Sequence, residues 1–161
     1  GRCRLTAAPH PCRQRRWMPP TAFELLQAVV SEIAAVGAVS EEQWKLLAFI
    51  SQDALLGATE ILDSRIVQCV TARKSGRFFY LMSSANGSKS THPHVHLPGF
   101  CTCAAFCMKV AARPDAVMCK HELAAMLAHA LHRSESIEKE DGAWATELKH
   151  RLHMAMIQHG V

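Results

Sequence analysis

The sequence predicts an α+β fold in which an N-terminal helical hairpin precedes a three-stranded antiparallel meander and further helices follow. Three observations carry that prediction. Two capping boxes open successive stretches of helical periodicity. The apolar period then shortens to about two across residues 65–97. Two more helical stripes fill the C-terminal third.

Thr21 and Glu24 form the first capping box, directly after Pro19-Pro20, with the Thr21 hydroxyl covering the Glu24 amide and Glu24 reaching back. Leu26, Val29, Val30 and Ile33 follow at helical spacing, and Gly37 supplies a stop. Ser40 and Gln43 form the second box, ahead of Trp44, Leu47, Ile50 and Leu55, in a helix that continues to or breaks near Gly57. Two capped helices over a short link read as a helical hairpin.

Residues 65–71 then hold Ile66, Val67, Cys69 and Val70 and read as a strand. Lys74, Ser75 and Gly76 supply a turn, and Phe78, Phe79, Tyr80 and Leu81 a second strand. Residues 85–90, with Asn86-Gly87, read as a loop. His92, His94 and His96 alternate with Pro93, Val95 and Leu97, which fits a short third strand placed at the sheet edge by Pro93. The three imidazoles then share one face, read as an exposed polar edge and weighed against a second metal site. Leu123, Met126, Leu127, Ala130 and Leu131 repeat as an amphipathic helix. Residues 134–142 are polar and read as a link to a last helix striped by Trp144, Leu148, Leu152, Ala155 and Met156 before Gly160.

The chain has 161 residues, 49% of them hydrophobic and 20% charged, which is one domain's worth with apolar material for a core. No run approaches the roughly 18–20 apolar residues of a membrane span, and no secretory signal is recognised. Membrane-spanning, secreted and collagen-like classes are therefore not expected. The net charge of +4 is carried by the head: residues 1–20 hold Arg2, Arg4, Arg13, Arg15 and Arg16 and no acid. Setting those five aside leaves 13 basic against 14 acidic residues, or −1. Such a head contacts phosphates, serves as an Arg-rich transit segment or is a solvated disordered tail, and Pro9, Pro11, Pro19 and Pro20 favour the last. The first residue is Gly rather than Met, which points to a fragment or processed form. Seven cysteines cannot all pair internally, so thiols that are buried, reactive or metal-bound are expected.

The chemistry sits in Cys101, Cys103, Cys119 and His121, a C-x-C-x15-C-x-H set. Three thiolates and an imidazole suit tetrahedral zinc, and Cys119 and His121 stand at a helix start, where the dipole favours anionic sulfur. One structural zinc, held in a closed site with no open position for water, completes the fold class. Three thiolates, a neutral imidazole and Zn²⁺ sum to −1, which nearby Lys120 partly offsets. Cys107 is not needed for this set, and Cys69 reads as a core residue.

This pattern, after a β-hairpin and before a helix, is similar to the SWIM zinc finger. Residues 100–106 (FCTCAAF), the fifteen-residue spacer with Arg113 and Asp115, and residues 117–124 (VMCKHELA) resemble the SWIM-type zinc finger subunit of the Shu complex, the zinc finger SWIM domain-containing protein seven family. Residues 54–63 and 75–81 resemble that family's helix end and hairpin, and the resemblance covers roughly residues 22–133. Ala104 stands where the family pattern has Pro, and the Arg-rich head and the His92/His94/His96 cluster are not part of that pattern. The resemblance implies a non-catalytic, nuclear scaffold of homologous-recombination DNA repair. It implies a heterodimer with a RecA-fold recombinase paralogue that promotes recombinase filaments on single-stranded DNA.

On this reading residues 1–20 are a basic disordered tail, 21–63 the N-terminal helices, 64–133 the SWIM zinc finger module, and 134–161 a linker and C-terminal helix. The chain carries no G-x-x-x-x-G-K-[ST] loop, so any nucleotide hydrolysis belongs to a partner. Leu123, Met126, Leu127 and Leu131 are assigned to partner binding, because the helical stripes exceed what a small zinc module buries. Arg73, Lys74, Arg77 and Lys89 are assigned to nucleic-acid contact around the hairpin turn. No membrane and no small-molecule substrate is expected. The rival readings are a SWIM-type DNA-binding module of a transcription factor or transposase-derived protein, and a thiol oxidoreductase or zinc hydrolase. The closed ligand set and the lack of a C-x-x-C motif count against the enzymes.

Overall fold

A computed structural model describes residues 21–64, 67–82, 93–112 and 116–159. The basic head, Lys89, His92, Arg113 and Asp115, the loop expected over residues 85–90, and Gly160 lie outside them. The molecule is a mixed α+β structure in which one five-stranded sheet is covered by helices on both faces.

Helix α1 (Ala22–Val36) opens with the Thr21–Glu24 capping box and closes on Gly37, whose φ of 75° is the left-handed C-cap glycine adopts without strain. Helix α2 (Glu41–Ser51) opens with the Ser40–Gln43 box. The chain breaks at Gln52 (φ 45°) and resumes as α3 (Asp53–Ser64), so the N-terminal layer has three helices and the break is not at Gly57. Gly57 lies inside α3 for a packing reason. A Cβ there would stand 3.2 Å from Lys120 Cβ, tighter than an ordinary contact, so glycine suits the close approach of α3 and the next helix.

Strands β1 (Val67–Ala72), β2 (Phe78–Met82) and β3 (His94–Leu97) pair antiparallel in chain order, and β4 (Phe100–Cys101) adds to β3. β3 is therefore internal, and two-residue β4 forms that edge. Pro93 precedes the strand and does not set the edge. The polar stretch expected to be a linker is instead β5 (Ser134–Lys139), parallel to β1 in the order β4-β3-β2-β1-β5. Its side chains carry little hydrophobic signal because it is an outer strand that buries only a partner's flank.

Alternation along the strands builds two cores. Val67, Tyr80 and Met82 face α1, α2, α3 and α4 (Lys120–Ala130). Val70, Ala72, Phe79, Leu81 and Val95 face α5 (Asp141–His159), which lays Trp144, Leu148 and Leu152 against them. Trp144 Nε1 donates to the Val70 carbonyl at 3.0 Å, and the Phe79 ring lies 5.6 Å from its own. Lys139 and Arg151 both reach Glu147, which pins α5 against the end of β5.

Candidate metal centre

The ligand cluster is built by two local devices. Pro98 and Gly99, at φ 75°, turn β3 into β4, and the register places Cys101 directly opposite His96. Cys119 is the N-cap of α4, its Sγ accepting from the Glu122 amide at 3.4 Å, and His121 follows in the first turn. Between them a π-helical segment (Phe106–Ala111) follows Cys103, whose Sγ accepts from the Phe106 amide at 3.2 Å. Phe106 closes the site from outside with its ring 5.8 Å from that of Phe100.

These devices bring one donor atom from each of Cys101, Cys103, Cys119 and His121 within 4.8 Å of one another, with all four residues buried. Ligands on a tetrahedral zinc with Zn–S near 2.3 Å stand about 3.8 Å apart, so the set fits that ion. His121 Nδ1 is buried without a hydrogen-bond partner, which fits an imidazole organised for a metal rather than for the protein's own polar groups.

The thiol electrostatics point the same way. Hydrogen bonds from Cys101, then Cys119, hold Cys103 far below the usual thiol range. Its hydrogen bond to Cys103, followed by that to Cys119 and by burial, drives Cys101 far above it. For Cys119 the hydrogen bond to Cys101 lowers the value, but the one to Cys103 together with burial wins and pushes it up to about 12. Thiols packed this closely oppose one another's ionisation, and a bound dication would be the partner that lets all three ionise.

The structure places the other expected site residues as follows. Cys107 is exposed and outside the cluster. His94 and His96 do not form an exposed polar face. Val95 and Leu97 claim the α5 core, so alternation turns both histidines toward α4 and the metal centre. The His94 ring lies 4.3 Å from that of His121, and buried His96 stacks on Tyr80 at 6.0 Å. Burial, opposed by the hydrogen bond to the Phe100 backbone, pushes His96 down to about 4, so its ring is neutral. The Pro-Gly turn was the sequence signal for this neighbour: it sets the register that seats His96 across from Cys101.

Leu123 and Leu127 are fully buried in the chain's own core, and Met126 and Leu131 pack against it. Leu123 and Leu127 are thus spent on the chain's own core, while Met126 and Leu131 are half-buried beside it. The Arg73 guanidinium is engaged by Glu138 and Glu140, each at 2.6 Å, and the Lys74 amide donates to Asp141. β5 thus brings acids against Arg73, and Asp141 at the start of α5 takes the Lys74 amide, while the Lys74 and Arg77 side chains at the turn stay exposed. Lys89 lies outside the described residues.

A buried set of three cysteines and one histidine, all from protein and seated between a hairpin and a helix N-terminus, is the class of site found in zinc fingers. The particular resemblance is to zinc finger SWIM domain-containing protein 7. The chain is 23% identical over 120 residues to the Dictyostelium discoideum homologue of that name, covering 74% of this chain and 76% of the relative. It is 20% identical over 124 residues to the human protein (77% and 86%) and 22% identical over 124 residues to the mouse protein (77% and 80%). No family model matches the chain. No solved structure matches it significantly.

Proposed function

We propose that this chain is a non-catalytic, zinc-binding scaffold subunit of a Shu-type complex in homologous-recombination repair. In this reading it acts in the nucleus, pairs with a RecA-fold recombinase paralogue and promotes recombinase filaments on single-stranded DNA. The observation that carries the reading is the convergence of Cys101, Cys103, Cys119 and His121 in the C-x-C-x15-C-x-H order, in a chain similar over most of its length to proteins named for a SWIM zinc finger. One zinc bound there supplies positive charge and a crosslink between β4 and α4, not a reacting water, because protein fills all four positions. Each ligand residue then has a positioning task. Cys101 and Cys103 fix the end of the sheet, and Cys119 and His121 fix the first turn of α4.

The absence of a phosphate-binding loop in the sequence supports assigning the nucleotide cycle to the partner. The acids around Arg73 and Lys74 count against the rival reading of an autonomous DNA-binding module. The test is co-expression of the chain with the RecA-fold paralogues of its own genome. A stoichiometric heterodimer, no ATPase from the chain alone and longer-lived recombinase filaments with the pair are expected. A monodisperse monomer that binds no such paralogue would overturn the reading.

A further inference from the structure

The charge of this chain is segregated by layer. Residues 21–64, which form α1, α2 and α3, hold seven acidic side chains and one basic, Lys45, and Glu41 already engages Lys45 at 2.7 Å. The same layer exposes large apolar groups. Phe49 is 82% and Leu56 70% exposed, and Leu46 is also exposed. On α2, Glu42, Leu46 and Phe49 fall in one stripe at helical spacing, opposite buried Leu47 and Ser51. On α3, Asp53 and Leu56 share the side opposite buried Ala54, Ala58 and Ile61. α1 repeats the mixture around exposed Glu32. Both core faces point into one shared core, so the acidic-apolar stripes point away from it.

An exposed aromatic or leucine alone has no consequence, but several on a layer of one charge sign make a recognition surface. Apolar side chains supply the burial, and acids around them reject acidic partners and favour basic ones. We infer that the outer face of α2 and α3, centred on Leu46, Phe49 and Leu56 and rimmed by Glu42 and Asp53, docks a partner element that interleaves large apolar side chains with Lys or Arg, as a basic amphipathic helix does. The binding chemistry stands on this layer alone; only the identity of the natural partner rests on the proposed function.

Two arms separate those claims. In the first, the full chain is titrated by calorimetry with a synthetic Leu/Lys amphipathic peptide and with its Leu/Glu counterpart. The basic peptide is expected to bind at least about tenfold tighter, to weaken with added salt, and to lose about tenfold or more with Phe49→Ser, Leu56→Ser or with Glu42→Lys, Asp53→Lys. These side chains are exposed, and unchanged circular dichroism confirms that the variants fold. Equal binding of both peptides, no binding, or indifference to both variants would overturn the docking face. Concentration-dependent dimerisation abolished by Phe49→Ser would assign the face to a second copy and overturn it too. Binding gained only after Arg13→Glu, Arg15→Glu and Arg16→Glu would assign the face to the chain's own head and would equally overturn the inference. In the second arm, the two double variants are co-expressed with the RecA-fold paralogue. Loss of the heterodimer is expected. A wild-type chain that binds the peptide but no paralogue would overturn the proposed function and leave the docking face standing.

Discussion

The side chain of Lys120 lies directly over Gly57, with Lys120 Cδ at 2.7 Å and Cβ at 3.2 Å from where a Gly57 Cβ would be. Lys120 stands between Cys119 and His121, so this close packing of α3 on α4 lies beside two candidate zinc ligands. Gly57→Ala should therefore destabilise the protein by about 1–3 kcal/mol through overpacking, although alanine is the better helix former by about 1 kcal/mol. Adding Lys120→Ala should recover most of the loss. Thermal melting of the two variants checks this, and equal melting of Gly57→Ala and wild type would remove the close packing from the account.

Exposed Cys107 and the tilted ring of His94 stand beside the metal centre without belonging to its donor set. A Cys107→Ala, His94→Ala double variant should keep about one zinc per chain, because four other ligands complete a tetrahedral ion. Metal analysis of that variant is the check. A stoichiometry well below wild type would show that the donor set is larger than the four residues named.

Glu147 ties α5 to the sheet, and its hydrogen bond from Lys139, with a second from Arg151, holds its carboxyl below the ordinary range. A carboxyl lowered on folding adds stability that is present above its unfolded pKa and lost as pH falls through the folded one. The pair is partly exposed and salt-screened, so its worth is at most about 1 kcal/mol. Glu147→Gln should lower the melting temperature near neutral pH, and the difference from wild type should vanish once acid has protonated Glu147. A difference that persists undiminished in acid would mean that the substitution acts through packing.

Trp144 joins α5 to β1 through one hydrogen bond to the Val70 carbonyl and through ring packing on Phe79. Trp144→Phe, which removes the indole donor but leaves the Val70 carbonyl in the β1–β2 ladder, should cost about 0.5–1.5 kcal/mol. Trp144→Ala should cost about 3–5 kcal/mol by adding a cavity. Denaturant melts that rank the two variants in the opposite order would contradict the role given to the ring.

Much of this architecture was legible because its signals are local. Thr21–Glu24 and Ser40–Gln43 are capping boxes in the structure as in the sequence, and the stripe through Leu26, Val29 and Ile33 is buried as its period requires. The cysteine and histidine spacing likewise identified four side chains that do meet. What stayed hidden depends on partners distant in the chain. Ser134–Lys139 is a strand only because β1 offers it an edge, and its own residues give no apolar alternation. Gly57 reads as a helix breaker until Lys120 is seen above it. The basic turn at Arg73 reads as a phosphate site until β5 carries Glu138 against it. Leu123 and Leu127 read as surplus apolar surface until α1, α2 and α3 are counted as part of the same core.

Cys101, Cys103, Cys119 and His121 are expected to hold a zinc on which the fold depends. Metal content and thermal melting of the purified full chain, side by side with Cys103→Ser and His121→Ala, test it most directly. Ligand geometry exists only in the folded chain, so metal affinity becomes folding free energy, about 10–16 kcal/mol in small zinc peptides. One equivalent of zinc in the wild type is expected, with both variants losing zinc, melting temperature and soluble yield together. A zinc-free wild type, or a Cys103→Ser chain that melts like the wild type, would contradict it.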